Sequence, residues 1–283
     1  MVVTPLVDSA LGRSDSATPS DDATVEDWAY SYIVSTDLGY KLAPPPPPNL
    51  WADRSFAPPD APGRPACLRV THKRQRRLTP EGLQDPTARA RLLHVFFHHE
   101  LQAAELMCWA ILRFRDSELE FRRGMLAICI DEIRHMHLYL DHLRTLGHEI
   151  GDFTVRDWFW ERVPTCAQPL NFVALMGLGL EAANLEHAQR FSQWFHQAGD
   201  PVAAAIQERV GREEVAHVAF GRRWFERWHG ELTFDAWEKA LPAPLSPLLM
   251  RGVPLNREAR RKAGMPEEFL SRLDEWTPEP RGS

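Results

Sequence analysis

The chain has 283 residues, 44% of them hydrophobic and 25% charged, enough apolar material for a sizeable core and too little bias for general disorder, collagen-like repeats or a coiled-coil rod. A formal charge of −6 argues against a protein whose main task is coating nucleic acid. The four cysteines, Cys67, Cys108, Cys129 and Cys166, form no Cys-x-x-Cys pair, so they read as reduced packing thiols rather than a disulfide frame or zinc knot.

Residues 1–25 are rich in Ser, Asp, Thr and Pro and are expected to be disordered, having little apolar surface to offset the entropy of ordering. They lack the basic start and apolar core of a signal peptide, and no stretch approaches about 18 uninterrupted apolar residues, which predicts a cytoplasmic protein with no membrane contact. Residues 26–85 read as a Pro-rich arm. Its segment from Trp28 to Leu38 is apolar and aromatic, which predicts a short docking helix, and Pro44 to Pro48 then favour an extended spacer. The basic run Lys73-Arg74-Gln75-Arg76-Arg77 lacks interleaved aromatics and reads as a solvated linker.

From residue 86 to 230 the apolar spacing turns helical. Asp85-Pro86 starts a helix that runs to about Phe114, and Ser117-Glu118-Leu119-Glu120 reads as a capping box for a second that stops at Gly147. A third helix is predicted from just after Thr165 to Gly199, and Asp200-Pro201 opens a fourth that ends at Gly230. Each would be roughly 45 Å long at 1.5 Å per residue. The first and last connections are short and the middle one is long. That predicts an all-α fold, a ferritin-like four-helix bundle of two antiparallel hairpins joined by one long crossover. Residues 231–283 read as a C-terminal helical cap.

The second helix carries Glu132-Ile133-Arg134-His135 and the fourth Glu214-Val215-Ala216-His217, each preceded by an acid, Asp131 or Glu213. Positions i and i+3 share a helix face, so each motif aims a carboxylate and an imidazole at one spot. The other two helices offer Glu100 with Glu105, and Glu181 with Glu186, at matching offsets. Five residues turn a helix by about 140°, so only one of each pair points inward. Glu100 shares its stripe with Leu93, Phe97 and Met107, and Glu181 with Ala174, Leu178 and Leu185. Glu105 and Glu186 keep more polar company. The predicted ligand set is therefore Glu100, Glu132, His135, Glu181, Glu214 and His217, a hard oxygen and nitrogen set suited to two iron or manganese ions. A third copy, Glu226 with His229, abuts a helix end and reads as surface.

The text from His94 to about Gly230, with HHELQAAEL, DEIRHM, GLEAANLEHA and EEVAHVAFG, resembles the ferritin-like domain-of-unknown-function family 455, as do Trp28 to Pro48, GDFTVRDWFWERVP and NREARRKAGM. The resemblance implies the fold and the metal positions. Through wider di-iron relatives it also implies that Asp131 orients His217 and Glu213 orients His135. Arg134 lies inside the first motif, which places it to pair with these acids. Tyr139 sits where radical-forming reductases carry a tyrosine but reads as a core residue. His94, His98 and His99 read as packed histidines, the Gly177 and Gly179 segment as close helix packing, and Trp158 to Val163 as the apolar underside of the crossover.

The expected function is a non-haem di-iron, or di-manganese, oxidoreductase in which Glu132 and Glu214 are the catalytic, bridging carboxylates. It would activate O2 to oxidise or hydroxylate a small organic substrate, with electrons from a donor protein. The alternatives are a ferroxidase or iron-handling protein, and a hydroxylase of a modified tRNA base that uses the basic runs around Arg76 and Arg260.

Overall fold

A computed structural model describes residues 23–52, 56–73 and 78–278. The expectation of a disordered start falls largely on residues 1–22, and that of a solvated basic linker largely on residues 74–77; both stretches lie outside the described residues. The described chain is all-helical, its only extended pairing being two isolated bridges, Thr24 with Leu50 and Val70 with Val155.

The arm contributes α1 (Val25–Val34) and α2 (Leu38–Leu42). Thr24 and Asp27 close a capping box on α1, each side chain accepting the other's backbone N–H at 3.2 Å. The apolar face of α1, including Trp28, Tyr32 and Ile33, is buried against α3. Trp28 also donates its indole N–H to the Pro45 carbonyl at 2.8 Å, which fixes the proline run.

Four long helical runs follow. In α3 (Pro86–Arg113) the Asp85 carboxylate caps the Thr87 N–H at 2.9 Å. The start of α4 (Leu119–Thr145) departs from expectation: Glu118 is the N-cap, and Ser117 donates to the Phe114 carbonyl instead of capping. The Glu118 carboxylate is occupied by Arg227 at 2.9 Å and the Trp228 indole at 3.0 Å, tying the start of α4 to the end of the last long helix. Gly147 then ends α4 at φ 78°, a left-handed turn that Gly adopts without strain.

The third run is not the uniform helix expected. It opens as α5 (Pro169–Leu175), with Gln168 rather than Thr165 at the cap, loosens into a π-helical turn over Met176–Glu181, and resumes as α6 (Ala182–Gln197). The MGLGLE text explains the turn, because two glycines weaken the α-helix where backbones meet. α7 (Pro201–His229) packs antiparallel on α6 with Asp200 capping Ala203 at 3.0 Å. Behind it α8 (Phe234–Ala240), α9 (Arg257–Lys262) and α10 (Glu267–Glu275) pack on one another and against the long helices. No helix among the described residues is long and apolar enough to cross a membrane.

The π turn touches α7 backbone to backbone: a Cβ on Gly221 would lie 2.9 Å from the Gly177 Cα. Gly221→Val is therefore expected to cost about 1–3 kcal/mol by overpacking, read as a lower midpoint in urea unfolding.

Candidate metal centre

The four long runs bring six ionisable side chains together. Glu100 comes from α3, Glu132 and His135 from α4, Glu181 from the last residue of the π turn, and Glu214 and His217 from α7. Glu100, Glu132, His135 and Glu214 place ligand atoms within 4.8 Å of one another, as do Glu132, Glu181, Glu214 and His217, and all six residues are buried. Glu132 and Glu214 belong to both groups. All six residues singled out from the sequence are thus in one cluster, and Glu105 and Glu186 are outside it.

Both imidazoles turn Nδ1 into the cluster. His135 Nδ1 lies 3.1 Å from Glu132 Oε2, and His217 Nδ1 lies 2.9 Å from Glu214 Oε2. Each Nε2 faces an acid on the opposite helix: Glu213 at 2.8 Å from His135, and Asp131 at 3.4 Å from His217. Arg134 ties the two acids together, 2.7 Å from Glu213 and 2.6 Å from Asp131. A carboxylate on Nε2 holds the proton there and leaves the Nδ1 lone pair for a cation. Glu213→Gln and Asp131→Asn are each expected to weaken metal binding roughly 10–100-fold without stripping the site, measured by competition with a chelator.

The donor set fits a divalent metal better than it fits itself. Glu132 Oε1 is buried without a hydrogen-bond partner, because His217 Nδ1, 3.2 Å away, is bonded to Glu214. Burial, then the neighbouring Glu132 and Glu214 carboxylates, push Glu100 well above the usual carboxylate range; burial, then Glu214 and Glu132, do the same to Glu181. Burial alone would lower both histidines, but the surrounding carboxylates outweigh it and raise His135 to about 9 and His217 well above its ordinary value. An entering cation displaces the protons these shifts favour, so uptake releases protons and affinity rises with pH through the range below about 9. Calorimetric titration with Mn²⁺ in buffers of different ionisation enthalpy is expected to show net proton release. Proton uptake would contradict this assignment.

Glu105 and Glu186 lie outside the cluster, and the structure gives them partners that the sequence reading did not name. Neither is solvated. Glu105 is fully buried and accepts from Lys41 at 2.8 Å, Arg64 at 2.6 Å and the Trp160 indole at 2.8 Å. Burial opposes its ionisation, yet Arg64 and Lys41 outweigh burial and hold its carboxyl below the ordinary range. Glu186 receives Arg260 at 2.9 and 2.7 Å and the backbone N–H groups of Gly252 and Asn256 at 3.1 and 3.0 Å. Lys41, Arg64 and Arg260 were not legible as partners because they come from the arm and the cap. The signal available was the repeated Glu five residues after Glu100 and after Glu181.

A cavity of about 340 Å³ reaches the cluster, lined by Glu100 and Glu181 but by neither His135 nor His217. Its aromatic walls include Phe96, Tyr139, Trp158, Phe159 and Phe191. Trp158 and Phe159 therefore line a chamber, which corrects their reading as a mere underside; Trp160, the next residue, is the one that packs inward. Tyr139 is buried and its hydroxyl accepts from Gln207 at 3.1 Å. His94 accepts from the Gly151 N–H at 2.9 Å and His98 pairs with Asp157 at 2.9 Å, so both act in packing the crossover, whereas His99 faces the cavity. Cys108 and Cys129 are buried with sulfurs 3.5 Å apart, Cys166 is buried and Cys67 exposed. Glu226 pairs with Arg222 at the end of α7, away from the cluster.

Residues 16–271 match the family model described as "Protein of unknown function (DUF455)", and the chain belongs to that family. It is also similar to an uncharacterized protein of Haemophilus influenzae, 29% identical over 191 residues, which are 64% of this chain and 66% of the relative. No solved structure matches.

Proposed function

We propose that this member of the DUF455 family is a ferritin-like, non-haem di-iron oxidoreductase, with manganese as the alternative metal, that uses O2 to oxidise or hydroxylate a small organic molecule. The observation that carries the reading is a two-ion ligand set, sharing Glu132 and Glu214, that meets an aromatic cavity at Glu100 and Glu181. Glu100 with His135 would complete one ion's ligands and Glu181 with His217 the other's. Bound as a pair, the ions would supply the Lewis acidity and the redox chemistry that O2 activation requires. The chain's own part is positional. Glu213 and Asp131 hold the proton on each Nε2 and fix the ring orientation. The aromatic walls exclude bulk water, and the Glu100 and Glu181 carboxylates, which line the cavity, are where the ion pair would face a substrate. Electrons would come from a separate donor protein in the cytoplasm.

A ferroxidase would use the same six ligands but leaves the cavity without a task. The tRNA-base reading loses its basic surface around Arg260: that guanidinium is buried on Glu186, and Arg257, Arg261 and Lys262 are paired with Glu267 and Glu258. The test is to load the full chain with Fe²⁺ anaerobically, mix it with O2 and follow visible absorbance and O2 uptake. A transient band and stoichiometric uptake, both absent in Glu214→Ala, are expected. Loaded protein that is inert to O2 would end the reading.

A further inference from the structure

The cavity carries more information than its contact with the cluster. Five aromatic side chains face it, from α3 (Phe96), α4 (Tyr139), the crossover (Trp158, Phe159) and α6 (Phe191). Phe96 meets Tyr139 and Phe191 with ring centroids 5.5 and 5.0 Å apart, so the walls form a connected aromatic surface. Such surfaces favour flat π-systems, which stack offset or edge-on and gain about 0.5–1.5 kcal/mol per ring pair beyond burial. A volume of about 340 Å³ lies at the small end of ligand pockets and suits one fused or substituted ring.

Two imidazoles line this mainly aromatic chamber, beside Asn184, Arg190 and the Glu100 and Glu181 carboxylates. His99 stacks on Phe159 at 5.1 Å between centroids, and His187 leans on Phe191 at 6.4 Å. Neither has a hydrogen-bond partner among the described residues, whereas the Tyr139 oxygen, also on the chamber wall, accepts from Gln207. A neutral imidazole offers one donor and one acceptor. Polar groups left unpaired in an apolar wall are where a ligand's own polar atom is read, since an unmet donor or acceptor there is costly. Leu249, 48% exposed, lines the same cavity and marks its mouth on the cap side.

We infer that the cavity is a binding site for a small planar aromatic molecule bearing a hydroxyl or ring N–H, with His187 and His99 reading that group and the aromatic walls reading the ring. As the substrate class of the oxidoreductase this rests on the function proposed above; as a binding site it does not. The carbon presented toward Glu100 and Glu181 would be the one oxidised.

The experiment is calorimetric titration of the full chain, without added metal, using 2-naphthol and 1-octanol, which share a hydroxyl and differ in the ring. 2-Naphthol is expected to bind at least about tenfold more tightly than 1-octanol. His187→Leu is expected to weaken 2-naphthol by several-fold to about tenfold, in line with one lost hydrogen bond, and His187→Gln to restore most of the loss. Phe159→Ala, on the crossover side of the lining, should weaken it as well. No saturable 2-naphthol binding, tighter 1-octanol binding, or no response to His187→Leu in a variant of native helicity would overturn the inference. The two readings fail separately. Protein that binds 2-naphthol but is inert to O2 when iron-loaded keeps the site and loses the oxidase; protein that takes up O2 but ignores aromatics does the reverse.

Discussion

Glu132→Ala is expected to strip both metal ions from the protein, whereas Glu100→Ala strips one. The asymmetry follows from the cluster itself: Glu132 and Glu214 belong to both ligand groups, while Glu100 and Glu181 belong to one each. Removing a shared carboxylate takes an oxygen from each ion and leaves His135 and His217 facing one another across a site of lower charge, ring centroids 6.1 Å apart. The loss should exceed the roughly 10–100-fold that follows a change in an orienting residue. Metal analysis after gel filtration checks it, with circular dichroism confirming retained helix. Glu132→Gln, which keeps the shape and one oxygen, should fall between wild type and alanine. Equal losses from Glu132→Ala and Glu100→Ala would show that the ions do not share carboxylates.

Arg260→Met is expected to destabilise the fold by about 3–5 kcal/mol, because it leaves the Glu186 carboxylate buried without its counter-charge. The two backbone N–H groups on Glu186 remain but cannot neutralise it. Adding Glu186→Leu to Arg260→Met should recover much of the loss, since a buried ion pair replaced by apolar groups is often neutral. Urea unfolding of the single and double variants measures the difference. Glu105 is the counterpart on α3, held by two cations, so Lys41→Met alone should cost less than Arg260→Met. These two anchors tie the arm and the cap to the long helices: Lys41 and Arg64 meet Glu105, five residues beyond Glu100, and Arg260 meets Glu186, five residues beyond Glu181. A double variant no more stable than Arg260→Met would contradict the account.

The long helices were readable because their ends are written in strong local chemistry. Asp85-Pro86, Asp200-Pro201, Gly147 and Gly230 all mark ends within two residues of where the helices start or stop. The site residues were readable for the same reason, since helical phase converts spacing into direction. The reading weakened where phase is not uniform: nothing in a 3.6-residue periodicity announces the π turn that carries Glu181, although its two glycines hint at it. It did not reach the partners of Glu105 and Glu186. Their neighbours along the helix are polar, but their partners Lys41, Arg64 and Arg260 arrive from segments distant in the chain, and no local pattern encodes that. The chamber was missed in the same way, because its walls come from α3, α4, the crossover and α6 at once.

The central claim is that the Glu and His cluster is a two-ion site. Its most direct test is metal analysis of the full chain purified from cells supplied with both iron and manganese, with protein quantified by amino-acid analysis. The account expects two ions of iron or manganese per chain. A protein that carries no stoichiometric metal after either supply, and takes up none when reconstituted with Fe²⁺ or Mn²⁺, would contradict it.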